Sequence, residues 1–347
     1  MSVPTFDLGF YRARIAALAE RGVYVGTSSW KYEGWLGQIY TPSRYEYRGR
    51  VASSRFEQNC LAEYAETFRT VCVDASFYTF PEEKKLREMA DQVPEGFRFG
   101  FKVSDEITVK RWPAVARSGI RGGTINENFL HAGLFTDRFL GPLATIQSKV
   151  GPIIFEISKL YPAEFATAAD FLSELDRFFS AIPKGDWRYS VELRNKKWLG
   201  PEYLAVLRKH GVAHVWNNWS DMPPVSEQFG IVGEPPSEHL DVARFLLKPG
   251  RKYEEAVAKF SPYKITQEIN EDARGALQLL IEKRWVRLSR SGTYIYINNR
   301  LEGNALQTVL AVLDRIQALQ SVPKPAPVPT PATTPSKPAQ AQFDLGL

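Results

Sequence analysis

The chain has 347 residues, of which 44% are hydrophobic and 24% are charged, and its formal net charge is +5. This composition is ordinary for a globular protein, and the length allows one large domain or two smaller ones. No apolar run is long enough to cross a bilayer, and no signal-peptide pattern is present. We therefore expect neither a membrane partner nor secretion.

The cysteine content and the net charge indicate which cellular compartment and which kind of partner to expect. Cys60 and Cys72 are not spaced as a metal site, and a secreted protein of this length would often carry more cysteines. We expect a cytoplasmic protein with both thiols reduced. The positive charge favours acidic partners such as nucleic acid, although part of it can simply solvate outer helices.

A helix is predicted ahead of the first strand. Apolar residues fall at helical spacing over Phe10–Arg21, Asp7 can cap the start of this helix, and Gly22 ends it. We assign residues 1–22 to an N-terminal helical extension.

Eight segments rich in β-branched and aromatic residues alternate with helical patterns after this extension. The predicted strands are Val23–Trp30, Val71–Tyr78, Phe97–Ser104, Pro152–Ser158, Tyr189–Arg194, Ala213–Trp219, Val242–Leu247 and Tyr294–Asn299. The predicted helices are Phe56–Phe68, Glu82–Gln92, Asp137–Val150, Ala163–Ala181, Pro201–His210, Tyr263–Lys283 and Asn304–Leu319. Eight such units predict a closed (β/α)8 TIM-type barrel over residues 23–321. An open doubly wound sheet is the alternative, but no glycine-rich phosphate motif follows the first strand.

Two connections are long enough to suggest a role in function. Asp105–His131 follows the third predicted strand, and Ser220–Leu240 follows the sixth. Both lie after strand C-termini, where barrels carry their functional loops, and loops of this length are more often functional than idle.

Strand alternation predicts which side chains enter the barrel, because residues two apart share a face. The polar and aromatic inward-facing set is Ser28, Trp30, Asp74, Ser76, Tyr78, Lys102, Ser104, Glu156, Ser158, Glu192, Arg194, His214, Trp216, Asn218, Arg244, Tyr296 and Asn298. Such a concentration of ionisable groups points to a functional pocket. The alternative is a buried lattice of ion pairs that only holds the barrel together.

We assign roles within this set by side-chain chemistry. Glu156, Glu192 and Lys102 are the candidate catalytic residues, with the two glutamates as a general acid and base. Together with Asp74, the two glutamates are also candidate ligands for a divalent cation, Mg²⁺ or Mn²⁺. Pairing of each carboxylate with a cationic neighbour is the competing interpretation. The candidate substrate-binding residues are Ser28, Trp30, Tyr78, Arg194, Trp198, Asn218, Arg244 and Asn298.

Two familiar catalytic arrangements lack support in the sequence. The chain has four histidines, too few for a histidine-rich trinuclear zinc site, and we expect His214 to belong to the core. No G-x-S-x-G nucleophile motif occurs.

Several motifs occur in an order that resembles one known family. They are VGTSSWKYEGWLGQIYTP, LAEYAETFRTVCVDASFYTFP, FRFGFKVSDEIT, PLATIQSKVGPIIFEIS, YSVELRNKKWL and YIYINNRLEGNA. The chain resembles the YecE-like family, the domain of unknown function 72, over nearly the whole barrel. The resemblance implies a TIM-type barrel with a pocket at the strand C-termini, and it supplies no reaction. Val109 stands where many members have histidine, and Glu156 where many have glutamine.

Residues 322–347 have a different composition, rich in proline, alanine and threonine. We expect this tail to be disordered and extended. It ends in QFDLGL, which resembles the peptide by which bacterial proteins dock on the DNA sliding clamp. Gln342, Leu345 and Leu347 are then the partner-binding residues, although a chance match is the alternative for so short a motif.

Three functions are compatible with these features. The first is a phosphoester hydrolase or nuclease-like enzyme linked to DNA metabolism through the clamp. The second is an enzyme that acts on a sugar or a phosphorylated metabolite. The third is a binding module without catalysis that is recruited to nucleic acid or to the clamp.

Overall fold

Eight parallel strands form a closed barrel in the computed structural model, which describes residues 7–286 and 292–322. The strands are Val23–Thr27, Thr70–Val73, Arg98–Lys102, Val150–Ile157, Arg188–Leu193, Ala213–Asn218, Leu240–Phe245 and Gly292–Ile297. They follow one another around the barrel in chain order, and the first pairs with the eighth. The (β/α)8 prediction is confirmed.

Helices surround the barrel. The α-helices of four residues or more are Leu8–Glu20, Ser53–Thr67, Glu83–Asp91, Asp105–Thr108, Ala168–Ala181, Pro201–His210, Val225–Val232, Tyr253–Phe260, Glu271–Val286 and Ala305–Leu313. The segment from 132 to 149 consists of short turns of α, π and 3-10 helix. The sequence predicted a single helix over Asp137–Val150 there. A hairpin of Glu46–Tyr47 with Arg50–Val51 lies outside the barrel. Among the described residues, no helix is long and apolar enough to span a membrane.

The first helix begins and ends where the sequence predicts. The Asp7 carboxylate accepts a hydrogen bond from the Phe10 amide at 3.1 Å, which satisfies one of the free amides of the first turn. Gly22 follows the helix with a φ of 75°, a conformation that glycine adopts without strain. The buried Arg14 side chain joins this helix to the end of the last one through Asp314, at 2.6 Å.

The lower half of the barrel interior is apolar and tightly packed. Tyr24 and Tyr294 stack at 4.8 Å between ring centroids, and Tyr296 lies above them. Gly100 leaves the space for this last ring, because a Cβ at that position would lie 2.3 Å from the tyrosine hydroxyl. The charged side chains of the interior lie above these rings, at the C-terminal ends of the strands.

The inward face of the sixth strand differs from the prediction by one residue. Asn217 pairs in register with Arg244 and so shares the inward face with it, which turns His214, Trp216 and Asn218 outward. His214 lies 3.2 Å from the Tyr203 hydroxyl on a surrounding helix. The prediction for this strand was wrong, because the larger side chains of AHVWNN fill the space between strand and helices rather than the barrel.

Other boundaries also differ from the prediction. The first strand ends at Thr27, and the second ends at Val73 because Asp74–Phe77 forms a 3-10 turn. The long connection after the sixth strand contains the helix Val225–Val232, which was not predicted. The predicted clamp-binding residues of the tail, Gln342, Leu345 and Leu347, lie outside the described residues.

Candidate active site

A cavity of about 570 Å³ opens at the C-terminal ends of the strands. The predicted site residues that line it are Asp74, Tyr78, Lys102, Glu156, Arg194 and Arg244. The parity of the second to fifth and the seventh strands thus brings side chains from distant parts of the chain to one place. Glu192 lies directly beneath this floor and is fully buried.

Glu156 is the centre of an ion cluster on the cavity floor. Its Oε2 atom lies 2.7 Å from Lys102 Nζ, 2.6 Å from Arg194 Nη2 and 3.3 Å from Arg244 Nη1. Three cationic groups, two from the third and seventh strands and one directly after the fifth, therefore converge on a single carboxylate oxygen.

The two other carboxylates of the cluster, Glu192 and Asp74, both bind Arg244. Arg244 Nη1 donates to Glu192 Oε2 at 2.5 Å, and Arg244 Nη2 donates to Asp74 Oδ1 at 2.7 Å. Glu192 Oε1 also accepts from Arg194 Nη2 at 2.8 Å. The three carboxylates balance the charges of Lys102, Arg194 and Arg244, which compensates for their removal from water.

The electrostatics of the cluster keep Glu156 ionised. Burial by itself raises the pKa of this carboxyl group, but the positive charges of Arg194, Lys102 and Arg244 outweigh burial and lower the pKa to about 2. The surrounding cations therefore favour the charged form of Glu156, and its catalytic role remains a prediction from the sequence.

The positions of these charged groups also determine whether the three carboxylates can bind a divalent cation. Within residues 7–286 and 292–322, no group of three or more histidine, cysteine, aspartate or glutamate side chains is arranged to hold a metal ion. The guanidinium of Arg244 lies between Asp74, Glu156 and Glu192 and takes the position that a cation would need. As arranged, these carboxylates do not fit a divalent cation, and the metal ligands remain a prediction from the sequence.

Aromatic rings support the cations of the cavity. Lys102 Nζ lies 3.7 Å from the centroid of the Phe77 ring, and the Arg194 guanidinium lies 3.7 Å from that of Trp219. At the rim, the Arg300 guanidinium lies 4.5 Å from the centroid of Tyr253. These contacts fix the direction in which each cation points without neutralising it.

The cavity as a whole is electropositive. Among the described residues that line it, six side chains are cationic and three are carboxylates. The cations are Lys102, Arg111, Lys159, Arg194, Arg244 and Arg300, and the carboxylates are Asp74, Glu156 and Glu164. Two of the three rim cations are paired, Arg111 with Glu164 at 2.9 Å and Lys159 with Asp221 at 2.9 Å. With Glu192 balancing the cluster below, the remaining positive charge is that of Arg300 at the rim.

The sequence matches a family model described as "Protein of unknown function DUF72" over residues 24–333. The chain belongs to the DUF72 family. Among solved structures, a DUF72 family protein from Enterococcus faecalis V583 is similar, with 18% identity and a TM-score of 0.56 over 85% of this chain and 95% of that one. Another from Thermotoga maritima MSB8 has 20% identity and a TM-score of 0.55 over 85% and 98%. No curated protein matches the chain.

Val109 and Glu156, at which the sequence departs from the family motifs it resembles, both line this cavity. Val109 lies on the wall and is apolar, whereas Glu156 brings a carboxylate to the floor.

Five predicted substrate-binding residues do not line this cavity. Ser28 is buried, Trp30 packs at the edge of the hydrophobic core, and Asn298 Oδ1 accepts from the Arg300 amide at 3.0 Å. Asn218 Oδ1 accepts from the Val225 amide at 3.1 Å and so anchors the helix that follows the sixth strand. Trp198 lines a neighbouring cavity instead.

Strand parity could not find the residues that loops bring to the site. Arg111 and Trp112 come from the long connection after the third strand, whose length was the only signal. Lys159 and Tyr161 lie beyond the fourth strand, and Arg300 lies beyond the eighth. Arg111 Nε is held at 2.9 Å from Glu164, so this part of the wall is ordered by a loop-to-loop ion pair.

Proposed function

We propose that this DUF72 protein is a phosphoester hydrolase that acts on a nucleotide or on nucleic acid. The observation that carries the proposal is the electropositive cavity at the functional end of the barrel, in which cations outnumber carboxylates. Arginine binds a phosphate group through two parallel hydrogen bonds, and lysine binds it as a compact positive charge.

Exposed aromatic side chains at the cavity suit the flat ring of a nucleobase. Tyr78 is 59% exposed and Tyr161 is 52% exposed, although both line the cavity. Exposed aromatic rings beside cations are the usual means of binding unpaired bases and their phosphates. In this arrangement Lys102 and Arg194 would hold the phosphate, with Arg300 at the entrance.

Asp74 is the carboxylate best placed to take part in the reaction. Its side chain is 30% exposed, whereas those of Glu156 and Glu192 are 5% and 0% exposed. Asp74 would accept a proton from the attacking water as the new P–O bond forms and the P–O bond to the leaving oxygen breaks, and the leaving oxygen would take a proton from solvent. Lys102 and Arg194 would stabilise the charge that develops on the phosphoryl oxygens. Glu156 and Glu192 then position the two arginines.

The test is hydrolysis of a phosphodiester by the full chain, assayed with EDTA and with Mn²⁺ in separate arms. We expect Asp74→Asn to lower kcat about 100-fold or more, the contribution typical of a general base, and to leave nucleotide binding intact. Asp91→Asn is the matched control, because Asp91 is exposed at the end of a helix that leads to the opposite side of the barrel.

The proposal fails if the wild-type chain hydrolyses no phosphoester in either arm, or if Asp74→Asn retains full activity. If sugar phosphates raise the Tm of the chain and nucleotides and oligonucleotides do not, the substrate is a small phosphorylated metabolite instead. Oligonucleotide binding without hydrolysis would make the chain a binding module.

The link to DNA metabolism rests on the tail. We propose that Gln342 hydrogen-bonds to the sliding clamp while Leu345 and Leu347 enter an apolar pocket on it. The proline-rich segment before them would act as a tether, which raises the local concentration of the barrel at DNA.

A further inference from the structure

A second cavity adjoins the first. It has a volume of about 390 Å³ and is bounded on one side by Lys159, Tyr161 and Arg194, which also line the first cavity. The two cavities are therefore separated by a wall of these three side chains, and Arg194 is anchored in that wall by the buried glutamates below.

The second cavity has the same combination of charge and aromatic surface as the first. Lys196 and Lys197 are exposed at its edge, and Trp198 follows them in the same 3-10 turn. The Trp198 ring is held by stacking on Phe171, at 5.5 Å between centroids. The carboxylate that lines this cavity, Asp221, pairs with Lys159 at 2.9 Å.

The loop that carries these lysines is fixed to the wall. The Asn195 side chain accepts from the Leu160 amide at 2.9 Å and donates to the Leu160 carbonyl at 2.8 Å. This pair of bonds joins the segment after the fifth strand to the segment after the fourth. The second cavity is thus a pre-formed concave surface, which lowers the entropic cost of binding a ligand there.

We propose that the second cavity binds the nucleotide next to the one in the first cavity, so that the substrate is a single-stranded oligonucleotide. This inference rests on the proposed function, because it extends the same site along the strand. A phosphate would cross the wall between Lys159 and Arg194, and the next phosphate would reach Lys196 and Lys197.

The shape of the two cavities favours a single strand over a duplex. Two concave sites lined by aromatic rings accept bases that have left the stack, whereas the bases of a duplex are paired and stacked inside it. Binding by stacking and by phosphate contacts tolerates many sequences, so we expect little preference among base sequences.

The test compares the affinity of the full chain for a mononucleotide and for a single-stranded trinucleotide. Wild type should bind the trinucleotide about tenfold or more tightly than the mononucleotide, since each stacked base adds affinity. Lys196→Ala with Lys197→Ala should remove most of this difference and leave mononucleotide affinity within about twofold.

The salt dependence of trinucleotide binding gives a second readout. The slope of log affinity against log salt concentration should become shallower by about 0.7 for each lysine that loses a phosphate contact. Arg208→Ala with Lys209→Ala is the matched control, because it removes the same charge from the last turn of the helix that leads away from the second cavity. This control should leave the slope and the length dependence as in wild type.

The outcomes separate this inference from the proposed function. The second subsite is refuted if the trinucleotide binds no more tightly than the mononucleotide, or if the Lys196/Lys197 variant weakens the binding of both ligands equally. Nucleotide binding in the first cavity would be unaffected by that result. If neither ligand binds the wild-type chain, the proposed function itself fails. A duplex that binds as tightly as the single strand would also overturn the inference.

Discussion

At the scale of single residues, the site is governed by one buried glutamate and the cations around it. Glu156 accepts from Lys102, Arg194 and Arg244 and is ionised because of them. A carboxylate in this position is a structural counter-ion for these three cations. It therefore couples the stability of the barrel to the geometry of the cavity.

This coupling predicts a defined dependence of stability on pH. Since the pKa of Glu156 is lowered from 4.5 to about 2, its contribution to stability is present above pH 4.5 and is lost as the pH falls toward 2. The contribution at neutral pH is on the order of 3 kcal/mol. We expect Glu156→Gln to lower the free energy of unfolding at pH 7 and to flatten its fall between pH 4.5 and 3, as measured by chemical denaturation.

Glu202→Gln is the control for this measurement, because Glu202 is exposed on the helix Pro201–His210. It should behave as wild type at every pH. An identical pH profile for wild type and Glu156→Gln would show that the carboxylate does not stabilise the fold.

The same residues show how far the sequence predicts the site. Strand parity places Asp74, Lys102, Glu156, Arg194 and Arg244 together, because alternation along a strand is a local property. It says nothing about which carboxylate pairs with which cation, since those distances depend on barrel curvature. It also cannot place loop residues, whose positions depend on contacts between distant segments.

At the scale of secondary-structure elements, all eight strands are predictable because each is a short apolar run between turns and helices. The sixth strand shows the limit of this reading. Both of its faces carry a mixture of apolar and polar side chains, so pairing with the neighbouring strand is what shows that Asn217, in register with Arg244, faces inward. Helix Val225–Val232 was missed because prolines and acidic residues precede and follow it.

A buried ion pair joins the helix Glu271–Val286 to the segment after the eighth strand. Arg274 Nη2 lies 2.7 Å from Glu302 Oε2, and both side chains are buried. We expect Arg274→Ala to lower the free energy of unfolding by about 3–5 kcal/mol, because Glu302 would be left buried without its partner.

The same helix carries an exposed pair that serves as the control. Arg315 Nη2 lies 2.8 Å from Glu271 Oε2 in a more accessible position. Arg315→Ala should cost less than about 1 kcal/mol. Equal losses for the two variants in urea denaturation would contradict the assignment of Arg274 as a buried structural partner.

At the scale of the whole molecule, apolar packing and charged side chains occupy different levels along the barrel axis. Tyr24, Tyr294 and Tyr296 fill the lower interior, and the charged cavity lies above them. Loops on the cavity side can change without disturbing the packed half, which suits a fold that hosts many chemistries.

The tail gives a prediction that is independent of the barrel. Full-length protein should bind a purified bacterial sliding clamp, and Leu345→Ala with Leu347→Ala should weaken that binding about tenfold or more, because two apolar anchors are lost. Surface plasmon resonance would measure it, and the thermal unfolding of the barrel should not change.

Thr333→Ala with Thr334→Ala alters the same tail and spares the motif, so it should bind like wild type. If the leucine variant binds the clamp as tightly as wild type, or if the wild-type chain does not bind it, the proposed interaction with the clamp is wrong.

The balanced ion cluster has a consequence for the evolution of this barrel. Asp74, Glu156 and Glu192 neutralise Lys102, Arg194 and Arg244 in a largely buried cluster, so a charge lost at one position leaves an opposite charge without its partner at another. Substitutions among these six positions should therefore be inherited in compensating sets rather than singly. Homologues with glutamine at position 156 should show a matching loss or displacement of a cation among the other five, a covariation that an alignment of the family can reveal.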